Sequence, residues 1–225
     1  MLRFHRSSFY SRWLVTVPTT SLLGASLLAA MAGCSGGPSR VTAPSISASG
    51  AASDAMTEYD KDGDGFIAGP ELDAAASLKS AMTTLDLDKD GKVSEEEIQK
   101  RIEAWQSKSA GLTSVLCSVT LDGRPVDGAT VTFEPEAFLG GEVKTAVGET
   151  AGGSASPSIP KAERPVADWP PGIQFGFFKV RVSKQVDGKE TIPAKYNSET
   201  TLGAQVATDD ASFLKQNYKF ELKSK

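Results

Sequence analysis

From about Gly111 to the carboxyl end, apolar residues recur at every second position in four segments. This period of two is typical of antiparallel strands that bury one face and expose the other. Asp-Gly and Pro-Gly turn signals separate the segments, and no helical stretch between them provides parallel crossovers. The pattern predicts an all-β antiparallel sandwich over residues 112–225, with polar residues such as Lys179 and Arg181 facing solvent. The apolar positions are Val115, Cys117, Val119 and Leu121; Ala129, Val131 and Phe133; Phe178, Val180 and Val182; and Tyr218, Phe220 and Leu222.

Residues 54–108 follow a different pattern, in which one unit occurs twice. The motif Ala-Met-Thr-x-x-Asp-x-Asp-x-Asp-Gly starts at Ala55 and again at Ala81. Such a repeat indicates one supersecondary unit used twice, here a short helix, an acidic loop and a second short helix. In the second copy, Ser94 and Glu97 have the spacing of a capping box at the start of the exit helix. The segment is therefore predicted to be a small all-α domain.

The acidic loops, residues 60–71 and 86–97, resemble the twelve-residue calcium-binding loops of the EF-hand family, which includes calmodulin. Calcium is a hard cation that takes six to eight oxygen ligands, which this family supplies from positions 1, 3, 5, 7, 9 and 12. Position 6 turns sharply, and Gly65 and Gly91 stand there. The resemblance implies two Ca²⁺ ions per chain. The implied ligands are Asp60, Asp62, Asp64, Glu71 and the carbonyl of Phe66 in the first loop, and Asp86, Asp88, Asp90, Ser94, Glu97 and the carbonyl of Lys92 in the second.

Two further features concern the pairing of the loops. Position 8 is β-branched in both loops, as Ile67 and Val93, where paired EF-hand loops exchange a short strand contact. Residues 72–85 between the loops are fewer than in calmodulin-like pairs, so the intervening helices are expected to be short. Pro70 falls in the first turn of the first exit helix, where proline is tolerated.

The first 33 residues have the features of an export signal and are not expected to be part of the fold. Arginines without any acid precede an apolar run over residues 21–33 that is too short to span a bilayer. The run ends in Met-Ala-Gly-Cys at Cys34, which resembles the lipobox of bacterial lipoproteins. The resemblance implies cleavage after residue 33 and lipid on Cys34, although an ordinary signal peptide with an incidental cysteine is the alternative. Ser35, where aspartate often retains such proteins at the inner membrane, favours the outer membrane. Residues 34–53, rich in Ser, Gly, Ala and Pro, are predicted to be a flexible tether.

Removal of the leader changes the composition in two ways that limit the function. It takes three of the 24 basic residues and no acids, so the mature chain has 21 basic against 28 acidic residues, a net charge of −7 that repels nucleic acid. It also takes His5, the only histidine, which excludes Ser-His-Asp and Cys-His catalysis and any His-ligated zinc site. Glu134 and Glu136 flank Pro135 without a supporting set of residues, and we expect them on a solvated rim. We predict that the chain is not an enzyme.

A second resemblance covers the β region. Residues 119–133, which include the turn Asp-Gly-Arg-Pro-Val-Asp-Gly-Ala, resemble the opening strands of carboxypeptidase-regulatory-like and transthyretin-like sandwich domains. Residues 176–182 resemble a later strand of that group, and residues 192–196 are similar to an element of small planctomycete-type lipoproteins. The resemblance implies a transthyretin-like or Ig-like fold and says little about function. Residues 141–165 lack the usual intermediate strand, so a long loop is expected there.

Together these features predict a calcium-binding, lipid-anchored protein of the cell envelope with a structural or interaction role. Calcium is expected to act as a structural clamp on residues 54–108, whereas the sandwich is expected to have its own core and to respond little. One alternative is an accessory module whose sandwich binds a glycan or a partner protein. Trp169 is a candidate platform for such a ligand, although packing of this side chain is the commoner outcome. A carboxylate-based hydrolase is a further alternative, without an evident nucleophile–base pair. Cys117 is expected to be a buried, unreactive strand residue.

Overall fold

The computed structural model describes residues 41–108 and 111–225. All of the described residues belong to one compact unit. The predicted leader and Cys34 of the lipobox-like motif lie outside the described residues. Within the described ranges, no helix combines the length and the apolar content that a membrane span requires.

Two helix–loop–helix units form the amino-terminal part of the described chain, which confirms the predicted repeat. In order, the elements are α1 (Ala48–Tyr59), β1 (Phe66–Ile67), α2 (Pro70–Ala74), α3 (Ala76–Leu85), β2 (Val93–Ser94) and α4 (Glu95–Gln106). Helices α2 and α3, which lie between the loops, are short, as the loop spacing predicts. Pro70 is the first residue of α2, where its missing amide hydrogen leaves no helical hydrogen bond unmade.

Helix α1 begins earlier than the sequence pattern indicates. Ser47 is its N-cap, and the Ser47 hydroxyl accepts a hydrogen bond from the Gly50 amide at 3.3 Å. Residues 48–53 are therefore helical, and the predicted tether over residues 34–53 is wrong at its carboxyl end. The buried face of this part of α1 consists of alanine side chains. Because alanine contributes little hydrophobic pattern, the composition of the segment resembled that of a linker.

Ten strands and one short α-helix lie within residues 111–225. The strands are β3 (Cys117–Leu121), β4 (Arg124–Pro125), β5 (Thr130–Pro135), β6 (Ala146–Glu149), β7 (Ser154–Ala155), β8 (Gly176–Ser183), β9 (Gln185–Val186), β10 (Lys189–Glu190), β11 (Leu202–Val206) and β12 (Tyr218–Leu222), and helix α5 is Ala211–Leu214. One sheet has the order β11-β8-β5-β6, and the second has the order β12-β3-β4 with β7 also paired to β3. A helical region followed by an antiparallel β-rich region is the fold class that the sequence predicts.

The β region departs from the prediction in two places. Strand β12 runs parallel to β3, with Tyr218 opposite Cys117, so the sandwich is not purely antiparallel. The reason is topological, because β11 is an edge strand of the first sheet and the segment containing α5 carries the chain across to the second sheet. The long loop expected over residues 141–165 is also wrong, since it contains β6 and β7. Strand β6 pairs with β5, but only Ala146 is a buried apolar residue, which left the strand without a clear pattern.

The facing sides of the two sheets bury the alternating apolar positions. The Phe133 ring lies edge-on to Phe178 of its own sheet and to Tyr218 and Phe220 of the other, with centroid separations of 5.9, 6.1 and 6.0 Å. Such edge-to-face pairs add a specific geometry to apolar burial. Cys117 is completely buried, and this burial raises the pKa of its thiol to about 11. Cys117 is therefore an unreactive packing residue, as expected.

The opposite face of the first sheet carries the helices, and their contact is continuous with the sandwich core. Trp105 of α4 packs on Phe177 of β8 with ring centroids 4.7 Å apart, and Phe138 lies 6.1 Å from the same Phe177 ring. Tyr59 of α1 meets Phe138 edge-on at 6.4 Å. The expectation of two independent cores is therefore wrong. Lys179, expected to face solvent, is half-buried and lies 3.2 Å from a carboxylate oxygen of α1.

The sequence around β8 explains why both faces of this sheet are covered. Neighbouring residues of a strand point to opposite faces, and Phe177 and Phe178 are both fully buried. Helix α3 approaches the same sheet closely at Gly203 of β11, where an added Cβ would lie 2.2 Å from the Ala76 carbonyl carbon. Only a residue without a side chain permits that distance. The helices are therefore an integral layer of the fold.

We predict that Trp105→Ala destabilises the helical and the β regions together. The side chain is 3% exposed, and truncation of a buried aromatic residue typically costs about 3–5 kcal/mol of unfolding free energy. Hydrogen exchange should show lost protection both in α1 and in β8, and calorimetry should show one transition. The matched control is Leu214→Ala, because Leu214 is 67% exposed and its truncation should change stability by less than about 0.5 kcal/mol. Lost protection confined to residues 41–108 would contradict the shared core.

Candidate metal centre

The two acidic loops lie side by side and are joined by the two-stranded sheet β1–β2. Ile67 pairs with Val93 in antiparallel register, and both side chains are fully buried. This confirms the expected strand contact at position 8. Lys92 of the second loop also reaches the first, with its ammonium 4.6 Å from the Phe66 ring centroid and 3.9 Å from Asp64.

Each loop gathers three carboxylates that can share one cation. In the first loop, ligand oxygens of Asp60, Asp62 and Glu71 all lie within 4.8 Å of one another. The equivalent residues of the second loop, Asp86, Asp88 and Glu97, form a cluster of the same size. These are positions 1, 3 and 12 of each loop. The two clusters therefore repeat one arrangement, as the sequence repeat predicts.

Backbone amides hold the carboxylates at the start of each loop. The Asp60 carboxylate accepts hydrogen bonds from the amides of Gly63 and Gly65 at 2.8 and 3.0 Å. In the second loop, the Gly91 amide donates to Asp86 Oδ2 at 3.0 Å. Gly65 and Gly91 have φ values of 87° and 81°, which glycine adopts without steric cost. The chain is thus curled around the point to which the aspartates are directed.

The glutamates at position 12 turn back into their loops. Glu71 Oε1 accepts hydrogen bonds from the amides of Lys61 and Asp62 at 2.6 and 3.2 Å. The bond from Lys61, followed by that from Asp62, lowers the pKa of Glu71 even though burial opposes the shift. Glu97 Oε1 likewise accepts from the Leu87 amide at 2.7 Å. Both position-12 carboxylates therefore face the aspartates at the beginning of the loop.

The other predicted ligands stand outside the two clusters. Asp64 and Asp90 accept hydrogen bonds from the amides two residues ahead of them, those of Phe66 and Lys92, at 2.9 and 2.8 Å. The Ser94 hydroxyl accepts from the Glu97 amide at 3.4 Å and the Ser94 amide donates to Glu97 Oε2 at 2.9 Å, which confirms the capping box. Coordination by Asp64, Asp90, Ser94 and the carbonyls of Phe66 and Lys92 remains a prediction.

The chemistry of the clusters fits a hard divalent cation. They contain carboxylates only, and carboxylate oxygens suit Ca²⁺ and Mg²⁺ better than softer metals. Asp86 Oδ1 is buried and has no hydrogen-bond partner among the residues that the structure describes. A buried polar atom without a partner is costly, by roughly 1–3 kcal/mol. A cation bound within the second cluster would satisfy this oxygen, so the residues present fit the ion that the loop spacing implies.

Comparison with known proteins supports this assignment. The family model described as EF hand matches residues 78–102, which contain the second loop and parts of its two flanking helices. The comparisons with curated proteins and with solved structures gave no match. The match and the two acidic clusters point to calcium binding. For the first loop, the argument is its repeated sequence and its matching geometry.

Two sequence-based expectations about other polar and aromatic residues are corrected by the structure. Glu136 does not lie on a solvated rim, because it is 1% exposed and accepts hydrogen bonds from Tyr59 and Ser77. The alternating pattern of β5 ends at this point, so nothing in the sequence marked the residue as buried. Trp169 is buried at 6% exposure, and its backbone carbonyl accepts a hydrogen bond from Arg164. It cannot serve as an exposed platform for a glycan.

We predict that Gly91→Ala destabilises the calcium-free protein by about 1–2 kcal/mol, the cost of left-handed backbone for a residue with a Cβ. An added Cβ would meet no atom within 4 Å, so the effect is purely conformational. The matched control is Lys89→Gly, since Lys89 already has a φ of 64°. In Lys89→Gly, the folded state is stabilised by relieved backbone strain, and the unfolded state gains conformational entropy. These two effects on the free energy of unfolding nearly cancel. Urea unfolding in chelator measures both, and equal losses for the two variants would contradict the argument.

Proposed function

We propose that this chain binds two calcium ions, one in each acidic loop, and that calcium acts as a structural clamp. The observation that carries the proposal is the pair of matching carboxylate clusters at positions 1, 3 and 12 of two loops joined by a short sheet. The residues that would hold the ions are Asp60, Asp62 and Glu71, and Asp86, Asp88 and Glu97. The match of the EF-hand family model to the second loop supports the choice of calcium.

The charge of the loops explains what a bound ion would contribute. Each loop has four carboxylates at ligand positions, their mutual repulsion opposes the curled backbone, and a divalent cation offsets that repulsion. A ligand that binds only the folded chain stabilises it by mass action, by about 2.7 kcal/mol at a concentration one hundred times its dissociation constant. Because the helices share a core with the sandwich, this gain should extend to the β region.

The packing of the helices favours a clamp over a sensor. Calcium sensors of this family open and expose an apolar groove when they bind the ion. Here the apolar residues of the helices, such as Tyr59 and Trp105, are already packed on Phe138 and Phe177. Opening would expose these aromatic side chains to water, which is unfavourable in proportion to the apolar area.

We expect wild-type protein to bind two calcium ions in a calorimetric titration after chelator treatment. Asp60→Ala and Asp86→Ala should each remove one ion, and the double variant should bind none. Added calcium should raise the melting temperature of the wild type in one transition. The control is Asp73→Ala, which removes an exposed acid that lies outside the ligand positions and pairs with Lys79. Unchanged stoichiometry in the double variant would contradict the assignment.

We also propose that the mature protein is non-catalytic and is anchored to the cell envelope through lipid on Cys34, in the outer membrane that Ser35 favours. The support is the lipobox-like sequence that ends there and the lack of histidine in the mature chain. The alternative of a module that binds a glycan or a partner protein now depends on surfaces other than Trp169. One such surface is a groove of about 600 Å³ between β4 and the β9–β10 hairpin, lined by residues that include Arg124, Lys184 and Ile192.

The anchoring proposal predicts that Cys34→Ser moves the protein from the membrane pellet to the soluble envelope fraction. The reason is that the resemblance implies lipid on the sulfur and on the new amino group of Cys34, and serine has no sulfur to accept it. Mass spectrometry of the wild type should show an acyl mass increase on the peptide that begins with Cys34. The matched control is Ser35→Ala, which keeps the cysteine and should stay in the pellet. A Cys34→Ser variant that still pellets with a lipid mass would show that the leader has been misread.

A further inference from the structure

A buried carboxylate of the β region is hydrogen-bonded to two separate helices of the calcium-binding region. Glu136, the residue after β5, has a fully buried side chain. Its Oε2 accepts a hydrogen bond from the Tyr59 hydroxyl at 2.9 Å, and its Oε1 accepts from the Ser77 hydroxyl at 2.5 Å. The Lys179 ammonium lies 3.1 Å from Oε2 and compensates the charge.

The positions of these partners relate Glu136 to the first loop. Tyr59 is the last residue of α1, and Asp60, position 1 of the first loop, follows it directly. Ser77 lies in the first turn of α3, beyond the break at Ala75 that ends the exit helix α2. Glu136 therefore fixes the end of α1, which enters the first loop, relative to the beginning of α3, which follows the exit helix α2.

A second β residue has the same relation to the second loop. The Gln205 side chain of β11 is buried, and its hydrogen bonds determine the orientation of the amide. The amide nitrogen donates to Thr84 Oγ1 at 2.9 Å, near the end of α3, and its oxygen accepts from Arg101 Nη2 of α4 at 2.7 Å. Asp209 adds a bidentate contact to Arg101 at 2.8 and 2.7 Å. Gln205 thus joins the helix that enters the second loop to the helix that leaves it.

In calcium-sensing EF-hands the arrangement of these helices changes when the ion binds, which shows that helix arrangement and calcium binding are linked. In this structure the helices are held by Glu136 and Gln205, and in the same structure the carboxylates of each loop converge within 4.8 Å. The arrangement that the β region holds is therefore one in which the ligands are already gathered. Pre-organising a site in its binding geometry raises its affinity, because less ordering remains for the ligand to impose.

We propose that Glu136 and Gln205 are positioning residues for the two calcium loops, Glu136 for the first and Gln205 for the second. The proposal rests on the calcium binding proposed above. By thermodynamic linkage the coupling is reciprocal. If contact with the β region increases the calcium affinity of a loop, calcium bound in that loop stabilises the contact by the same free energy. The sandwich thereby influences the calcium affinity of both loops, although it contributes none of the calcium ligands.

The test uses full-length protein in which one loop has been disabled. In the Asp86→Ala background only the first loop remains, and Glu136→Gln, which keeps the shape and removes the charge, should weaken calcium binding there by about fivefold or more. In the Asp60→Ala background, Glu136→Gln should leave the affinity of the second loop unchanged. Gln205→Met should give the reverse pattern. Calorimetric calcium titration measures all four affinities.

The control and a milder variant separate positioning from general destabilisation. Glu134→Gln is the matched control, because Glu134 lies two residues earlier, pairs with Arg181 and should change neither affinity. Tyr59→Phe removes only the hydroxyl that Glu136 accepts from, so it should weaken the first loop in the same direction even if Glu136→Gln unfolds the protein.

Three results would overturn the inference. One is an affinity of the first loop within about twofold of its parent in both Glu136→Gln and Tyr59→Phe, which is below the usual range of coupling. Another is an equal loss at both loops, because that would indicate a merely structural role. The third is a wild-type chain that takes up no calcium, which is recognised by the absence of binding heat in the parent and would overturn the proposed function as well.

Discussion

The burial of one sheet on both of its faces is the constraint on which the rest of this structure depends. Strand β8 presents Phe177 to the helices and Phe178 to the second sheet, and both side chains are fully buried. Neither layer can separate from β8 without exposing aromatic surface to water, which is unfavourable in proportion to the apolar area exposed. The acidic loops are consequently the exposed ends of helices whose apolar faces are already packed. A change at the loops affects the packing of the helices on the first sheet, because the helices have no hydrophobic core of their own.

Loop geometry is determined by backbone amides as much as by acidic charge. In the first loop, Asp60 and Glu71 are held by amides of the residues between them, so the carboxylates converge even though they repel one another. The second loop is less satisfied, since Asp86 Oδ1 is buried without a partner in the described chain. That oxygen adds a desolvation cost to the electrostatic repulsion, and a cation would remove both. The two loops therefore have similar shapes, but a cation would relieve electrostatic repulsion in both and an unpartnered buried oxygen only in the second.

The repeat, the acidic clusters of the two loops and the four main strands could be predicted from sequence because each depends on local spacing. Helix periodicity, the glycine at φ above zero and strand alternation are all properties of short segments. The contact between the regions could not be predicted in that way. Glu136 and Ser77 lie 59 positions apart, and Gln205 and Thr84 lie 121 apart.

The adjacent Phe177 and Phe178 were a local indication of a sheet covered on both faces, but the alternation of later residues in β8 concealed it. The beginning of α1 was missed because alanine packs closely without an obvious pattern.

The polar ties between helices and sheet matter because apolar contacts alone are non-directional. Trp105 and Phe177 could remain in contact while α4 slides, whereas a carboxylate that accepts from two hydroxyls, or a bidentate Arg101–Asp209 pair, requires one geometry. Burying the Glu136 carboxylate costs desolvation free energy, and the ion pair with Lys179 offsets that cost without adding a net gain. The contribution of Glu136 is therefore to specify one arrangement of the helices and not to add stability.

That distinction matters most when the calcium affinity of the loops is modest. An EF-type site with a dissociation constant of about 0.25 mM, within the range of extracellular modules, is roughly four-fifths occupied at millimolar calcium, and a fivefold loss of affinity would leave it under half occupied. In that range, residues that arrange the helices decide whether the loops are filled.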